Sequence, residues 1–312
     1  MKKIILTVAI AAASSGAVNA ATIYEADGLK YDLKGDFQLQ LRQKVGKDKD
    51  LDLEFDDIEL KNRVTYDLGS DMTAFGQLDF SYDDSANDKY DGRSDLEEAY
   101  LGLSFGDIDV SFGKRDLSSD EFGVEASYEE AGDAFDELIE DGDDVIRLDA
   151  NFGNVYVSAS TELEAQGNSA ADNDSAFDVF VAADLGVAQV GLSYLTYEAE
   201  GSNDSQEAYG VMASFDAGFA ELAADYSTAE LSTATDVDVY NLVATFKVAE
   251  TTKASVGYNN VDEDGTDEVA TWYANVTYKF PTQKNVSVFA ELADSDEDDS
   301  ELGYLAGMRV KF

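Results

Sequence analysis

Carboxylate side chains are concentrated in one stretch of the sequence, SSDEFGVEASYEEAGDAFDELIEDGDD, residues 118–144, where nearly half of the positions are Asp or Glu. So many like charges in a confined space create a local field that attracts cations. A segment of this length without obvious structure of its own is uncommon and is usually functional or disordered. The candidate cation-attracting residues are Asp120, Glu121, Glu125, Glu129, Glu130, Asp133, Asp136 and Glu137.

Other chemistry is limited by two missing residue types, because the sequence contains no His and no Cys. Their absence excludes disulfides, thiolate or imidazole metal sites, and Ser-His-Asp or Cys-His catalysis. Two further acidic runs, VDEDGTDE (261–268) and DSDEDDSE (294–301), do not match calcium loops. The first lacks the carboxylates required before its Gly, and the second has Leu305 where the closing Glu belongs. We therefore predict no cofactor and no dedicated metal site.

The first twenty residues, MKKIILTVAIAAASSGAVNA, have the three parts of a secretory signal peptide. Lys2 and Lys3 are followed by an apolar run and by a small-residue cleavage pattern that ends at Ala20. The apolar run is too short to span a membrane as a helix. We expect cleavage of 1–20 and export of a single domain, 21–312.

The composition is strongly acidic, with 66 Asp and Glu against 21 Lys and Arg, a net charge of −45. Loss of Lys2 and Lys3 would make it −47. Such a charge argues against nucleic acid or an anionic membrane surface as a partner. Hydrophobic residues nevertheless make up 44% of the chain, too many for a disordered acidic tail.

Hydrophobicity alternates with a period of two almost everywhere, as in GLKYDLKGDFQLQLR (28–42) and ATWYANVTYKF (270–280). Alternation over ten or more residues places one face in an apolar medium and the other in a polar interior. About sixteen such segments follow one another, joined by short turns that alternate with longer polar loops, and the chain has a single Pro. We therefore predict an all-β fold, a closed antiparallel transmembrane β-barrel of about 16 strands.

Several stretches together resemble the general porins of Gram-negative outer membranes. ATIYEADGLKYDLKGDF resembles the first strand of that family, SDMTAFGQLDFSY the third, and EEAYLGLSFGDIDVSFGKRD the fourth and fifth. DEFG at 120–123 is similar to a motif in the long third loop of the family, and LGYLAGMRVKF ends on an aromatic residue as porins do. The resemblance implies a 16-stranded homotrimer in the outer membrane, with lipid and lipopolysaccharide around it, that passes small hydrophilic solutes by diffusion.

The same resemblance implies that residues 116–143 fold back into the barrel lumen, which would place the eight carboxylates at a constriction. Such porins oppose this loop with inward Arg and Lys, but the aligned positions here hold Asp36, Glu59 and Glu97, and only Arg147 keeps its charge. Other basic candidates for the pore wall are Arg42, Lys61, Arg63, Arg309 and Lys311. Acidic residues at positions where the family has basic ones favour cation selectivity. Phe312 resembles the C-terminal signal for barrel assembly.

Four alternatives are weighed against this interpretation. The acidic segment could be an external, solvated loop with a helix near Tyr128 to Glu140. A sugar-specific channel would need a stacking track of inward aromatic residues, but the aromatic residues lie near strand ends, where interfacial girdles form. A barrel enzyme is disfavoured because its catalytic dyads would need His. A soluble secreted β-protein is disfavoured by the length and regularity of the strands.

Overall fold

The computed structural model describes residues 20–82, 95–164, 174–199, 202, 204–232 and 235–312. The predicted signal peptide, 1–20, lies outside these residues except for Ala20. The described chain is almost entirely β-strand, with one short 3-10 helix at Ser118–Glu121. No helix within the described ranges is long and apolar enough to cross a membrane.

The strands follow the alternation in the sequence, but with the polar face buried. On β2, Leu29–Gln43, the side chains of Asp36, Gln38 and Gln40 are buried, whereas Phe37 and Leu39 between them are exposed. Polar side chains therefore point to the buried, inner face of the sheet, and apolar side chains point to its exposed, outer face. This arrangement is stable only where the outside is apolar, as in a bilayer.

Sixteen strands, β2 to β17, form a closed antiparallel ring in which each strand pairs with its neighbours in the sequence. The ring closes between β17 and β2, where Lys311 lies opposite Asp36. This result confirms the predicted barrel and strand number. The sequence analysis missed β1, a short strand that pairs with the first residues of β2. The strand bounds are β1 Ala21–Ala26, β2 Leu29–Gln43, β3 Asp52–Gly69, β4 Met72–Ser81, β5 Asp95–Phe105, β6 Ile108–Asp116, β7 Asp141–Phe152, β8 Val155–Glu162, β9 Ser175–Asp184, β10 Ala188–Glu198, β11 Gln206–Asp216, β12 Glu221–Ser232, β13 Thr235–Ala249, β14 Thr252–Glu263, β15 Val269–Phe280, β16 Gln283–Ser295 and β17 Gly303–Lys311.

The two ends of the barrel differ in the length of their connections. At one end, which we call the short-turn end, two to four residues join consecutive strands of the ring, as at 106–107 between β5 and β6. Gly106 in that turn has a φ of 59°, a left-handed conformation that favours glycine. At the other end, the long-loop end, most connections are longer. The longest joins β6 to β7 through residues 117–140, which we call the β6–β7 segment.

Candidate functional site

The β6–β7 segment starts and ends at neighbouring strands, and Arg147 on β7 fastens its base. The Leu117 amide donates to the Glu140 carbonyl at 2.7 Å, which brings the two ends together. The Arg147 guanidinium donates to the carbonyls of Asp116 and Leu117 at 3.2 and 2.9 Å. These bonds supply donors to two backbone carbonyls where β6 ends and the segment begins.

Three carboxylates on distant strands accept hydrogen bonds from backbone amides of the segment. Asp178 on β9 accepts from Ser119 at 2.5 Å, and Asp225 on β12 accepts from Val124 at 2.9 Å. Glu291 on β16 accepts from Tyr128 at 3.0 Å. These three residues were not among the predicted site residues. Their position on the polar face of each strand was readable, but their partners lie more than fifty residues away.

Asparagine amides on three adjacent strands hold the middle of the segment. Asn241 on β13 and Asn259 on β14 both donate to the Gly132 carbonyl, at 3.0 and 3.1 Å. Asn275 on β15 donates to the Ala126 carbonyl at 2.7 Å. The segment is therefore bonded to inner-face residues of β9 and of β12 to β16, across much of the ring.

Apolar contacts fix the segment against the same part of the ring. Phe122 and Phe135 pack together, with ring centroids 5.0 Å apart, and the Phe122 ring lies directly over Gly210 on β11. Tyr128 stacks on Phe289 of β16 at 4.1 Å. Small and apolar inner-face residues of β7 to β13, β15 and β16 complete one buried cluster with the segment. The inner face is therefore less uniformly polar than the alternation predicted.

Three of the predicted constriction residues, Glu121, Glu129 and Glu130, form ion pairs with arginines of the wall. Glu121 forms an ion pair with Arg147 at 2.7 Å, and both side chains are almost fully buried. Burial raises the pKa of Glu121, although Arg147 opposes this rise. Glu129 accepts from Gln40 at 2.6 Å and pairs with Arg42, which also binds Glu130 at 3.0 Å.

Asp133 is buried at a turn of the segment. It accepts a hydrogen bond from the Phe135 amide at 2.8 Å, and its own amide donates to Asp136 at 3.0 Å. Burial raises the pKa of Asp133 well above its ordinary value, and the charges of Asp136 and Glu125 raise it further. Asp120 and Glu125 are partly buried, whereas Asp136 and Glu137 are exposed.

The predicted wall residues on β2, β3 and β17 form two groups of ion pairs, one around Arg309 and one around Lys61. Arg309 binds Asp36 and also Asp57, the latter at 2.6 Å, and Lys311 binds Asp36 at 2.7 Å. On β3, Lys61 bridges Glu59 and Asp79, the latter at 2.6 Å.

Arg63 and Arg115 cover aromatic faces on the same wall. The Arg63 guanidinium lies 4.5 Å from the centre of the Phe75 ring and donates to Gln77 at 3.3 Å. Arg115 lies 4.6 Å from the centre of the Tyr100 ring. Both arginines, with Arg147, line a cavity of about 500 Å³ whose lining also includes Gly106 and Asp107 at the short-turn end.

A β-bulge explains why two adjacent glutamates occur on β5. Asp79 pairs with Glu98 and Phe80 with Leu96, so that Glu97 is the extra residue. Glu98 is buried on the inner face, where it accepts from Gln77 at 2.5 Å. The predicted residue, Glu97, also reaches the wall, because its carboxylate lies within 4.8 Å of those of Glu59 and Asp79. The ammonium of Lys61 already supplies a cation to Glu59 and Asp79 in this cluster.

In most of these ion pairs, one basic side chain contacts more than one carboxylate. Four bases each face at least two carboxylates: Arg42, Lys61, Arg147 and Arg309. Lys311 and Arg115 share two of the same acids. Six bases thus meet nine carboxylates within these ion pairs, so acids outnumber bases among the ion-paired groups of the wall.

Comparison with known proteins identifies the family of this barrel. A family model described as Gram-negative porin matches residues 7–300. The chain belongs to this family. A porin of this family forms a channel in the outer membrane, which favours a channel over an enzyme.

Individual relatives agree with this assignment. Porin-like protein H of Photobacterium profundum is 28% identical, and the alignment covers all of both chains. A monosaccharide porin of a Halomonas species is 32% identical over 39% of this chain and 35% of that one. The trimer form of OmpT, an outer membrane protein of Vibrio cholerae, superposes with a TM-score of 0.76 at 20% identity, covering 92% of this chain and 100% of that one.

Proposed function

We propose that this porin is a cation-selective diffusion channel for small hydrophilic solutes, narrowed by the β6–β7 segment inside the lumen. The contacts of the segment support this placement. Its amides and carbonyls bond to inner-face residues of β9 and of β12 to β16. Its carboxylates reach Arg42 on β2. Contacts with inner-face side chains on so many strands support a position inside the barrel over an external loop.

The charge of the wall carries the proposed selectivity. Among the ion-paired groups of the inner wall, six bases face nine carboxylates, including Glu121, Glu129 and Glu130 of the segment. In a narrow tube with low-dielectric walls, this excess raises the local concentration of cations and repels anions.

The wider biology of the channel follows from the same proposal. Export would require removal of residues 1–20, which leaves the barrel domain 21–312. The trimer form of the Vibrio cholerae relative supports a homotrimer. Outer-membrane lipid and lipopolysaccharide would contact the exposed apolar belt, with loosely bound divalent cations linking the acidic loops to lipopolysaccharide phosphates.

A sugar-selective channel is the second candidate, since one relative is a monosaccharide porin. Three aromatic residues line the 500 Å³ cavity: Phe75, Tyr100 and Tyr156. However, Arg63 covers the Phe75 ring and Arg115 covers the Tyr100 ring. These faces are therefore occupied by cations, and diffusion without sugar stacking is the better proposal.

The test is the reversal potential of the purified porin in a planar bilayer with a potassium chloride gradient. We expect a potential of the sign that cation selectivity gives. The double variant Glu129→Gln, Glu130→Gln should lose most of it, because Arg42 would then be left without these two acids. The matched control is Glu297→Gln, Asp298→Asn in the loop between β16 and β17, where the effect should be small. An equal loss in both variants would place the segment outside the lumen, and an anion-selective wild type would refute the proposed selectivity.

A further inference from the structure

Six lysines occur on the inner wall, and we call them the lysine arc. They lie on six of the seven consecutive strands from β13 through β17 and β2 to β3: Lys247, Lys253, Lys279, Lys311, Lys34 and Lys61. Four of them lie within two residues of the short-turn end of their strands, whereas Lys34 and Lys61 lie farther along the wall. Their faces are set by strand alternation. Lys253 lies on the same face of β14 as the buried Ser255 and Asn259. Lys279 lies on the same face of β15 as Thr277, whose hydroxyl bonds to Tyr128 of the β6–β7 segment.

Two pairs within the arc place like charges directly opposite each other. Lys34 lies across from Lys61 on neighbouring strands, and Lys247 lies across from Lys253. Directly opposed like charges destabilise a sheet. The chain has three acids for every base, so an opposite charge at these positions would have been easy to supply. The arc therefore concentrates cations in a protein that is otherwise anionic.

Only part of this charge is neutralised within the protein. Lys61 pairs with Glu59 and Asp79, and Lys311 pairs with Asp36. In the parts of the chain that the structure describes, no ion pair joins Lys34, Lys247 or Lys279 to a carboxylate.

Neighbouring members of the arc repel one another. Lys253 is attracted by Glu221 on β12 but is repelled by Lys247 on one side and Lys279 on the other. Lys279 in turn is repelled by Lys311. A ligand that joined these ammonium groups would remove this repulsion.

We propose that the lysine arc binds small polyvalent oxyanions, such as phosphate esters or polycarboxylates, at the short-turn mouth of the lumen. The proposal rests on the proposed channel, since it needs the arc to line the mouth of a pore. Ammonium groups on flexible stems act as point charges for phosphate, and several of them can meet one ligand with two or more negative charges. The arc has the opposite charge to the β6–β7 segment, so a polyvalent anion that enters from the long-loop end must pass the acidic segment before it reaches the arc.

The experiment uses pyrophosphate as the probe on single pores in a planar bilayer, added to each compartment in turn. We expect the current to be blocked from one side only. In the variant Lys247→Gln, Lys279→Gln, the half-blocking concentration should rise about tenfold or more, because two charge-assisted contacts are lost. The matched control is Lys44→Gln, Lys49→Gln, two exposed lysines at the long-loop end, which should leave the block unchanged.

Three results would overturn the proposal: no block, equal block from both sides, or equal sensitivity in the two variants. Isothermal titration of pyrophosphate into the detergent-solubilised barrel gives a second measurement, and loss of binding in the arc variant alone is expected. Heat-induced unfolding of the variants checks that both are folded. The reversal potential in potassium chloride without pyrophosphate tests selectivity separately. A wild type without cation preference but with one-sided block would refute only the proposed selectivity.

Discussion

Phe312 closes the seam between the last strand and β2. Its amide donates to the Gly35 carbonyl at 3.0 Å, and the Gly35 amide donates back at 2.9 Å. Its ring lies over Gly35 and stacks on Phe37, with the centroids 5.9 Å apart. The lack of a side chain at residue 35 leaves room for the ring. The predicted assembly signal therefore also has a structural place on the outer face.

Replacing Phe312 with Gln tests the assembly role. The amount of barrel in the outer membrane should fall severalfold, whereas the melting temperature of the detergent-folded variant should fall only by a few degrees, about what loss of one stacked ring costs. Immunoblotting of membrane fractions and circular dichroism provide the two values. The matched control is Phe37→Leu, which removes the stack but keeps the terminal aromatic residue, and its membrane level should stay near that of the wild type. A normal membrane level for Phe312→Gln would remove the assembly role.

At the level of elements, most strands could be predicted from the alternation of polar and apolar residues. All sixteen predicted segments overlap β2 to β17, because a period of two sustained over ten or more residues is typical of strands and rare in helices or irregular loops. The six-residue β1 was too short to stand out. The bulge at Glu97 could not be read from the sequence, since two adjacent acids leave the register ambiguous. No helix forms within 122–140.

The strand residues that hold the β6–β7 segment could not be predicted from the sequence, for a different reason. Asp178, Asp225 and Glu291 could be assigned to a face, but each bonds to backbone amides that are distant along the chain. Nothing in local propensity marks such a pairing. The candidate carboxylates were easier to select, because their density alone sets them apart. Their partners, Arg42 and Arg147, were named as wall residues from sequence, but the pairing itself was not.

Gly210 provides a test of how the segment is held. A Cβ at this position would collide with the Phe122 ring, so Gly210→Leu should displace Phe122 and loosen the segment. Overpacking of this kind costs about 1–3 kcal/mol. We expect a higher single-channel conductance with more current noise. Ala213→Leu on the outward face of the same strand is the control and should change neither. Unchanged conductance in Gly210→Leu would mean that the segment does not restrict the pore.

At the scale of the whole molecule, the unequal ends of the barrel predict its orientation. The chain has no Cys, so a single introduced Cys reports on one site. Ser202→Cys and Asp264→Cys at the long-loop end should react with a membrane-impermeant maleimide on intact cells. Ser70→Cys and Gly186→Cys at the short-turn end should react only after the outer membrane is disrupted. Labelling of both pairs on intact cells would contradict the assignment of the long loops to the cell surface.

The proposed cation selectivity depends on all the charges that line the pore. It should therefore vary with both pH and salt concentration. Burial raises the pKa of Glu121 and of Asp133, so on acidification these two take up protons at a higher pH than ordinary carboxyl groups do. Each proton removes a negative charge from the β6–β7 segment but leaves Arg42 and Arg147 charged. The reversal potential of a cation-selective pore should therefore begin to fall above the ordinary carboxyl range and should continue to fall through it. High salt should weaken selectivity as well, because the Debye length is only about 3 Å at 1 M and leaves only adjacent charges effective. Asp133→Asn should remove part of the early fall in the pH profile, whereas Glu137→Gln, at an exposed position of the same segment, should not. If the reversal potential stays constant from neutral pH to about pH 4, near the ordinary pKa of a carboxyl group, these carboxylates do not face the ions that pass.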